Sequence, residues 1–334
     1  LMVRLFMLFL RFKDRFYSVI IDTRPACGPE VKMEMLDGKA VSVKVIENIK
    51  EESIPMIKKA GRPPGLAVVK VGDDPASAIY VRSKEKKAKR LGFRSEVIAL
   101  DYSVSDQELT SVISMLNNDD GIDGILVQLP LPEKFDTWKY LDMIDPSKDV
   151  DRFHPVNLGK IMLGRTDIYP CTPAGVVRML DEFNIDVTGM SCTVLGRSYI
   201  VGKPMASMLT NRNATVTICH SRTKNIPEVI SKSDLVVSAV GSPGFVMPAV
   251  VKEGAVLVDV GINRIDTLSE AEKFCTPQEI EKFEKKGYSI TGDIHPEAYK
   301  KSSFYTPVPG GVGLMTVAML MDNTFRLFRE RTGL

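Results

Sequence analysis

Short apolar runs alternate with longer stretches of helical periodicity along most of this chain, and that alternation restricts the fold more than any single motif. "GLAVVKVG" (65–72), "SEVIAL" (95–100) and "GILVQLP" (124–130) read as buried strands, with helical patterns at 40–59, 74–91 and 105–117 around them. The boundaries have local causes. Residues 61–64 break the first helix, Asp73 or Asp74 caps the second, Gly92 stops it, and "SDQE" (105–108) opens the third as a capping box. Apolar strands separated by helices make βαβ units and a parallel sheet.

A second series begins after "DPSKDVDRFHPVNLGK" (145–160), with a helix over 172–183 that carries Pro173 in its first turn. Four short strands follow, "SCTVLG", "ATVTIC", "DLVVSAVG" and "AVLVDVG", with helical or turn segments between them. That is a Rossmann-like unit. The chain closes with "TPVPGGVG" (306–313) and an apolar helix over 314–328, which must bury one face, most simply on the first domain. The expected fold is α/β with two domains, and 334 residues suffice for both. An N-terminal parallel-sheet α/β catalytic domain takes 33–155 plus 304–334, so that the C-terminal helix returns to it. A Rossmann-like domain takes 156–303.

Composition removes several classes of function. The net charge of +2 gives no electrostatic reason to expect nucleic acid. Five widely spaced cysteines without C-x-x-C argue for a reducing compartment and against a disulfide framework or zinc site. The three histidines (His154, His220, His295) lack metal-ligand spacing, so no metal is expected. Residues 1–32 are apolar, aromatic and basic, but the run 5–10 is too short to span a membrane. They read as an extension outside the folded protein, which would start near Met33 or Met35. The cytoplasm is then the expected compartment, with the mitochondrion as alternative if 1–32 is a transit peptide.

"VLGRSYIVGKP" (194–204) joins the first Rossmann-like strand to its helix. A P-loop is excluded: five residues separate Gly196 from Gly202, and Pro204 stands where a Walker motif needs a hydroxyl. A strand-to-helix turn still offers free N–H groups and the positive end of a helix dipole to a phosphate. NAD sites usually carry an acid at the end of the next strand to hold the ribose 2′-OH. Here that place reads "CHSRT" (219–223), without a carboxylate, and Arg197, Ser221 and Arg222 suit a 2′-phosphate. The pattern favours NADP over NAD.

The helix "PASAIYVRSKEKKAKRLGF" is rich in basic residues, and helical spacing sorts them. Lys86, Lys89 and Arg90 point away from the apolar side. Lys84 shares a stripe with Ser77, Tyr80, Val81, Ala88 and Leu91, expected to face the interior, and meets Tyr80 at i, i+4. A partly desolvated lysine is usable as an acid/base near neutral pH.

"IYVRSK", "GILVQLPLP", "DPSKDVDRFHPVNLGK", "YPCTPAGV", "GRSYIVGKPMA", "VDVGINR" and "TPVPGGVGLMT" occur in this order from Met33 to the end. In these motifs the chain resembles the bifunctional methylenetetrahydrofolate dehydrogenase/methenyltetrahydrofolate cyclohydrolase family. The resemblance implies that NADP⁺ takes hydride from 5,10-methylene-tetrahydrofolate, and that water then opens the 5,10-methenyl cation to 10-formyl-tetrahydrofolate in the same cleft. It implies Lys84 as the acid/base of the hydrolytic step, Tyr80 positioning the substrate, Gln128 tuning the lysine, and Asp151 accepting hydrogen bonds from the pterin. Leu129, Pro130, Pro309, Gly310 and Gly311 would complete the folate site. Gly196, Arg197, Ser198, Val201, Gly202, Pro204, His220, Ser221, Arg222 and Ile262 would hold the cofactor. A homodimer is implied, and no membrane or nucleic-acid partner.

A dehydrogenase without cyclohydrolase activity, or a silent folate- or nucleotide-binding protein, are the rival readings. The intact Tyr80–Lys84–Gln128 set counts against the first. Asp149 or Asp151 could also merely cap a turn, and a cis X-Pro bond in "QLPLP" would shape the cleft. Two residues depart from the family pattern. Arg152 replaces the usual glycine after "DVD", where it would be strained at positive φ or would place a charge near the pterin. Leu314 replaces a proline at the start of the last helix, at little expected cost.

Overall fold

The computed structural model describes residues 33–334; the expectations for 1–32, and Cys27, lie outside the described residues. Strand β1 (Glu34–Met35) leads into α1 (Gly38–Ala60), β2 (Gly65–Val71), α2 (Pro75–Arg90), β3 (Arg94–Leu100), α3 (Asp106–Asn118), β4 (Gly124–Val127) and α4 (Thr137–Met143). Helices α5 (Pro155–Met162) and α6 (Cys171–Glu182) precede β5 (Ser191–Leu195), α7 (Gly202–Asn211), β6 (Thr215–Cys219), α8 (Ile226–Ser231), β7 (Leu235–Ser238) and β8 (Ala255–Asp259). A ribbon of β9 (Asn263–Ile265) and β10 (Ser289–Thr291) brackets α9 (Leu268–Phe274) and α10 (Pro277–Lys286). Helix α11 (Pro296–Tyr299), β11 (Ser302–Tyr305) and α12 (Val312–Thr332) complete the chain.

The first βαβ series forms a three-stranded parallel sheet in the order β3-β2-β4. Its central strand is buried along almost its whole length, as a strand covered on both faces must be. The capping expectations are realised. Asp74 accepts from Ser77 N–H at 2.7 Å, and Ser105 and Glu108 make a reciprocal capping box at α3. Strand β4 ends at Val127, earlier than its apolar run, because Gln128 opens the turn that contains the cis Leu129–Pro130 bond.

The second series forms a six-stranded parallel sheet, β1-β11-β8-β7-β5-β6. Strand β6 lies on one side of β5 and β7 on the other, so the order reverses at β5, where an open α/β sheet leaves its ligand crevice. Glu34 and Met35, within the first domain on sequence boundaries, pair in this sheet opposite Phe304 and Tyr305. The ribbon β9–β10 and helices α9–α11 had no counterpart in the sequence reading.

Helix α12 packs on α1 and α6 and reaches α2, β2 and β4. Met315, Ala318, Leu320, Met321, Phe325, Leu327 and Phe328 are all essentially inaccessible. At about 1.5–3 kcal/mol for each large side chain fully buried, this helix is a principal source of cohesion for the small sheet. It also begins at Val312, so Leu314 lies in its first turn, partly exposed, where the missing proline leaves an ordinary helical amide bonded to Gly311 O at 3.2 Å.

Candidate active site

A hollow of about 350 Å³ opens where α2, the turn after β4 and the start of α12 converge. Tyr80, Lys84, Gln128, Leu129, Pro130, Asp151 and Ile262 all line it. An adjoining hollow of about 300 Å³ shares Tyr80 and Ile262 and adds Pro309, Gly310 and Gly311. Folding therefore brings together, from four distant stretches, the side chains picked for folate and acid/base roles.

Helix α2 turns Lys84 inward from a stripe in which Ser77, Val81, Ala88 and Leu91 are buried, while Lys86, Lys89 and Arg90 stay exposed. Tyr80 departs from the expectation: it is 40 % exposed and stands at the rim of both hollows, not in the interior. Lys84 is half-buried and donates from Nζ to Gln128 Oε1 at 3.0 Å. Gln128 Nε2 in turn donates to Leu129 O at 2.8 Å, which fixes the amide so that its oxygen faces the ammonium. Backbone pairing sets the base of this arrangement, since Gln128 N–H donates to Val69 O at 2.8 Å.

The two acids of "DVD" have separate jobs. Asp149 is buried and accepts from Asn157 Nδ2 and His154 N–H, both at 2.9 Å, so it is the turn-capping residue. The segment is pinned to β4, with Ile125 N–H donating to Lys148 O at 2.7 Å. Asp151 then opens into the hollow. Desolvation pushes its carboxyl up to about 6, the nearby Lys84 ammonium acting in the opposite direction.

Arg152 realises the first of its two expectations and not the second. Its φ is 62°, the left-handed region that favours glycine, so the strain is real. Yet its guanidinium is buried away from the hollow, donating to Pro146 O at 3.2 Å near Asp149, Asp167 and Glu330. It adds no charge to the cleft. Burial lowers its pKa, and its Nε has no partner among the described residues.

The dinucleotide candidates sit at the carboxyl ends of β5 and β6. Gly196 has φ 112°, and a side chain on Gly202 would meet Gly196 O at 2.2 Å, so the turn closes only with glycine at both places. Ser198 Oγ accepts from Val201 N–H at 3.1 Å and Gly202 N–H at 3.3 Å, and Val201 and Gly202 lead into α7, where Pro204 is buried. The amides of 198–200 make no hydrogen bond among the described residues, leaving a cradle of donors at a helix N-terminus. Across the crevice His220 Nδ1 accepts from Arg222 N–H at 3.1 Å, with no acid at 220–223. Arg197, Ser221 and Arg222 are exposed. This donor set fits a phosphorylated dinucleotide.

Sequence reasoning gave no role to several residues of the hollow. Cys171 and Thr172 line it from "YPCTPAGV", and Thr172 Oγ1 lies 3.0 Å from Thr316 Oγ1, which lines it from α12. Asp259, which lines the adjoining hollow, and the buried Asp293 were also missed, although an acid inside the apolar run "VLVDVG" signals the first of them. Asp259 is buried and desolvation pushes its carboxyl up to about 7.

Residues 36–151 match the family model "Tetrahydrofolate dehydrogenase/cyclohydrolase, catalytic domain", and 170–332 match the same family's "NAD(P)-binding domain". The chain is 48% identical to the bifunctional protein FolD of Acetivibrio thermocellus, over 89% of this chain and 97% of that protein. Among solved structures, the bifunctional FolD methylenetetrahydrofolate dehydrogenase/cyclohydrolase of Campylobacter jejuni is 42% identical with a TM-score of 0.81, covering 90% of this chain and 99% of that one. The Trypanosoma brucei enzyme complexed with NADP and an inhibitor is 36% identical, also with a TM-score of 0.81, covering 90% and 98%.

Proposed function

This chain belongs to the tetrahydrofolate dehydrogenase/cyclohydrolase family, and from that premise we propose how its residues divide the two reactions. It is a bifunctional enzyme of one-carbon metabolism, with methylenetetrahydrofolate dehydrogenase and cyclohydrolase activities. The observation that carries the assignment of roles is the Lys84 Nζ to Gln128 Oε1 bond of 3.0 Å in the hollow that also holds Asp151 and Ile262.

Asp151 accepts hydrogen bonds from the N–H groups of the pterin, Tyr80 covers the ring from the rim, and Leu129, Pro130 and the 309–311 backbone shape the walls. NADP⁺ is the cofactor and, when bound, supplies the hydride acceptor. Arg197, Ser221 and Arg222 hold its 2′-phosphate, the amides of 198–200 its pyrophosphate, and Gly196, Val201, Gly202, Pro204 and His220 shape that pocket. Ile262 packs where nicotinamide meets folate. Hydride transfer asks the protein only for alignment of two carbons.

The hydrolytic step needs a proton carrier. Lys84 gives up one ammonium proton, and Nζ then takes one from the water that attacks the methenyl carbon and passes it to N5 as the carbon–N5 bond breaks; the second water proton restores the ammonium, so that one proton is released overall. Gln128 Oε1 holds Nζ in place throughout. Arg152 leaves this machinery intact.

The catalytic part is proposed as 33–155 plus 304–334, less the strands at 34–35 and 304–305 that pair in the larger sheet, and the dinucleotide part as 156–303, assembled as a homodimer in the cytoplasm. No described helix is long and apolar enough to cross a membrane. One progress curve with 5,10-methylene-tetrahydrofolate tests the roles, following NADPH and the methenyl species separately, with NAD⁺ in parallel. Low methenyl and a strong NADP⁺ preference are expected. Methenyl accumulating beyond its spontaneous hydrolysis would remove the role of Lys84, and equal use of NAD⁺ would remove that of Arg197 and Ser221.

A further inference from the structure

We propose that Asp293 is a positioning residue for the dehydrogenase step, its carboxylate holding the backbone that walls the dinucleotide crevice. This rests on the reading of the 196–204 turn as the cofactor site. Asp293 follows β10 and is wholly buried. Its Oδ2 accepts from Val240 N–H at 2.7 Å, Gly241 N–H at 3.2 Å and Ser238 Oγ at 3.2 Å. Its Oδ1 accepts from Ser242 N–H and from Asn263 Nδ2, each at 2.9 Å. Successive amides at 240–242 thus converge on one carboxylate, the geometry of a backbone nest closed on an internal anion.

That segment is the turn after β7, on the crevice side of the sheet. It leads directly to the glycine turn: Ala239 N–H donates to Leu195 O at 2.9 Å, and a side chain on Gly196 would meet Ala239 O at 2.5 Å. The turn after β8, which carries Ile262, is packed on the same group, since a side chain on Gly261 would meet Asp293 Oδ1 at 2.2 Å. Asp259 fixes the other side of this unit, accepting from Gly261 N–H at 2.9 Å, Asp293 N–H at 3.0 Å and Ile294 N–H at 2.7 Å. One buried carboxylate therefore sets two crevice turns against the glycine turn. Neither acid bonds to Lys84, Gln128 or Asp151, which keep their own hydrogen bonds.

The consequence is selective. Asp293→Asn keeps one acceptor oxygen but turns an NH₂ toward backbone donors, so the 239–242 turn loses its anchor. The expected result is a rise of about tenfold or more in KM for NADP⁺ with a fall in dehydrogenase kcat, while hydrolysis of supplied methenyl-tetrahydrofolate stays within about twofold. Binding is read independently from Trp138, the sole tryptophan, whose ring centroid lies 4.2 Å from that of Tyr199 in the glycine turn. Titration of its fluorescence with NADP⁺ should show the same weakening. Ser238→Ala and Asn263→Ala each remove one donor, and they decide the question through smaller KM shifts of the same kind should Asp293→Asn not fold. Unchanged NADP⁺ affinity, or parallel loss of both activities in a folded variant, would overturn the proposal. Arg197→Ala run alongside separates the two levels. If Arg197→Ala weakens NADP⁺ and the Asp293, Ser238 and Asn263 variants do not, only the positioning role fails; if Arg197→Ala has no effect, the cofactor site itself is misplaced.

Discussion

On the wall proposed as catalytic Lys84 is half-buried and tied to Gln128 at 3.0 Å, whereas on the wall proposed for the dinucleotide Arg197 and Arg222 are exposed and make no ion pair among the described residues. The first wall fixes side chains against one another; the second fixes backbone and leaves charged side chains in solvent. The proposed proton transfer accounts for the first design, because a carrier must lie within hydrogen-bond reach of its target. The proposed phosphate recognition accounts for the second. Backbone amides and a helix terminus supply fixed donors, and flexible arginines add charge at modest desolvation cost. Substitutions on the first wall should thus act steeply, at Lys84 on the hydrolytic activity alone, and those on the second should act gradually through cofactor affinity.

The strongest test of that contrast is Lys84→Met. It should slow methenyl hydrolysis by about 10²–10⁴-fold, the usual worth of a positioned acid/base, while NADPH still forms and methenyl accumulates. Equal loss of both activities would erase the distinction between the walls.

Asp151→Asn comes next. Losing a charged acceptor for the pterin should cost about 1.5–3 kcal/mol, seen as a KM for folate raised tenfold to a hundredfold. The wild-type enzyme should show the same loss on acidification, with folate KM rising as pH falls through about 6, where the Asp151 carboxyl takes a proton. Stability runs the other way. The native carboxyl binds a proton up to about pH 6 and the unfolded one only to about 3.8, so this group costs stability as pH rises through that window. Asp151→Asn should therefore gain thermal stability over wild type at pH 8 relative to pH 4.5, by about 1–3 kcal/mol.

On the other wall, Arg197→Ala should raise KM for NADP⁺ by about tenfold, one charge-assisted bond, and leave that for NAD⁺ unmoved. The smallest effect belongs to Arg152→Gly, which touches neither wall. Relief of the left-handed backbone should stabilise the fold by about 1 kcal/mol in a thermal melt. Kinetics changed by more than about twofold would show that Arg152 reaches the cleft after all, since its packing predicts none.

Much of this molecule was legible before folding. Continuous apolar runs located β2, β4, β5, β7 and β8, and the Asp74 and Ser105 caps set the starts of α2 and α3. Helical spacing picked Lys84 out of a basic helix because the apolar stripe leaves it no other direction. The spacing of glycines in 196–202 marked the tight turn between β5 and α7. Spacing failed for Tyr80, which belongs to the same stripe but lies beyond the cover of neighbouring elements and so meets the open cleft. For Arg152 the family pattern foresaw the strain of positive φ but not the side-chain direction, which depends on where Pro146 and Glu330 fall in space.

What the sequence determined by itself was local: which segments bury and where helices start, because periodicity and capping are written within a few residues. Tertiary structure alone decided the rest. Short β1 and β11 carry little signal and become strands only by pairing with each other and with β8. Asp259 and Asp293 acquire a purpose only when distant backbone amides converge on them, for a carboxylate finds its donors in space and not along the chain.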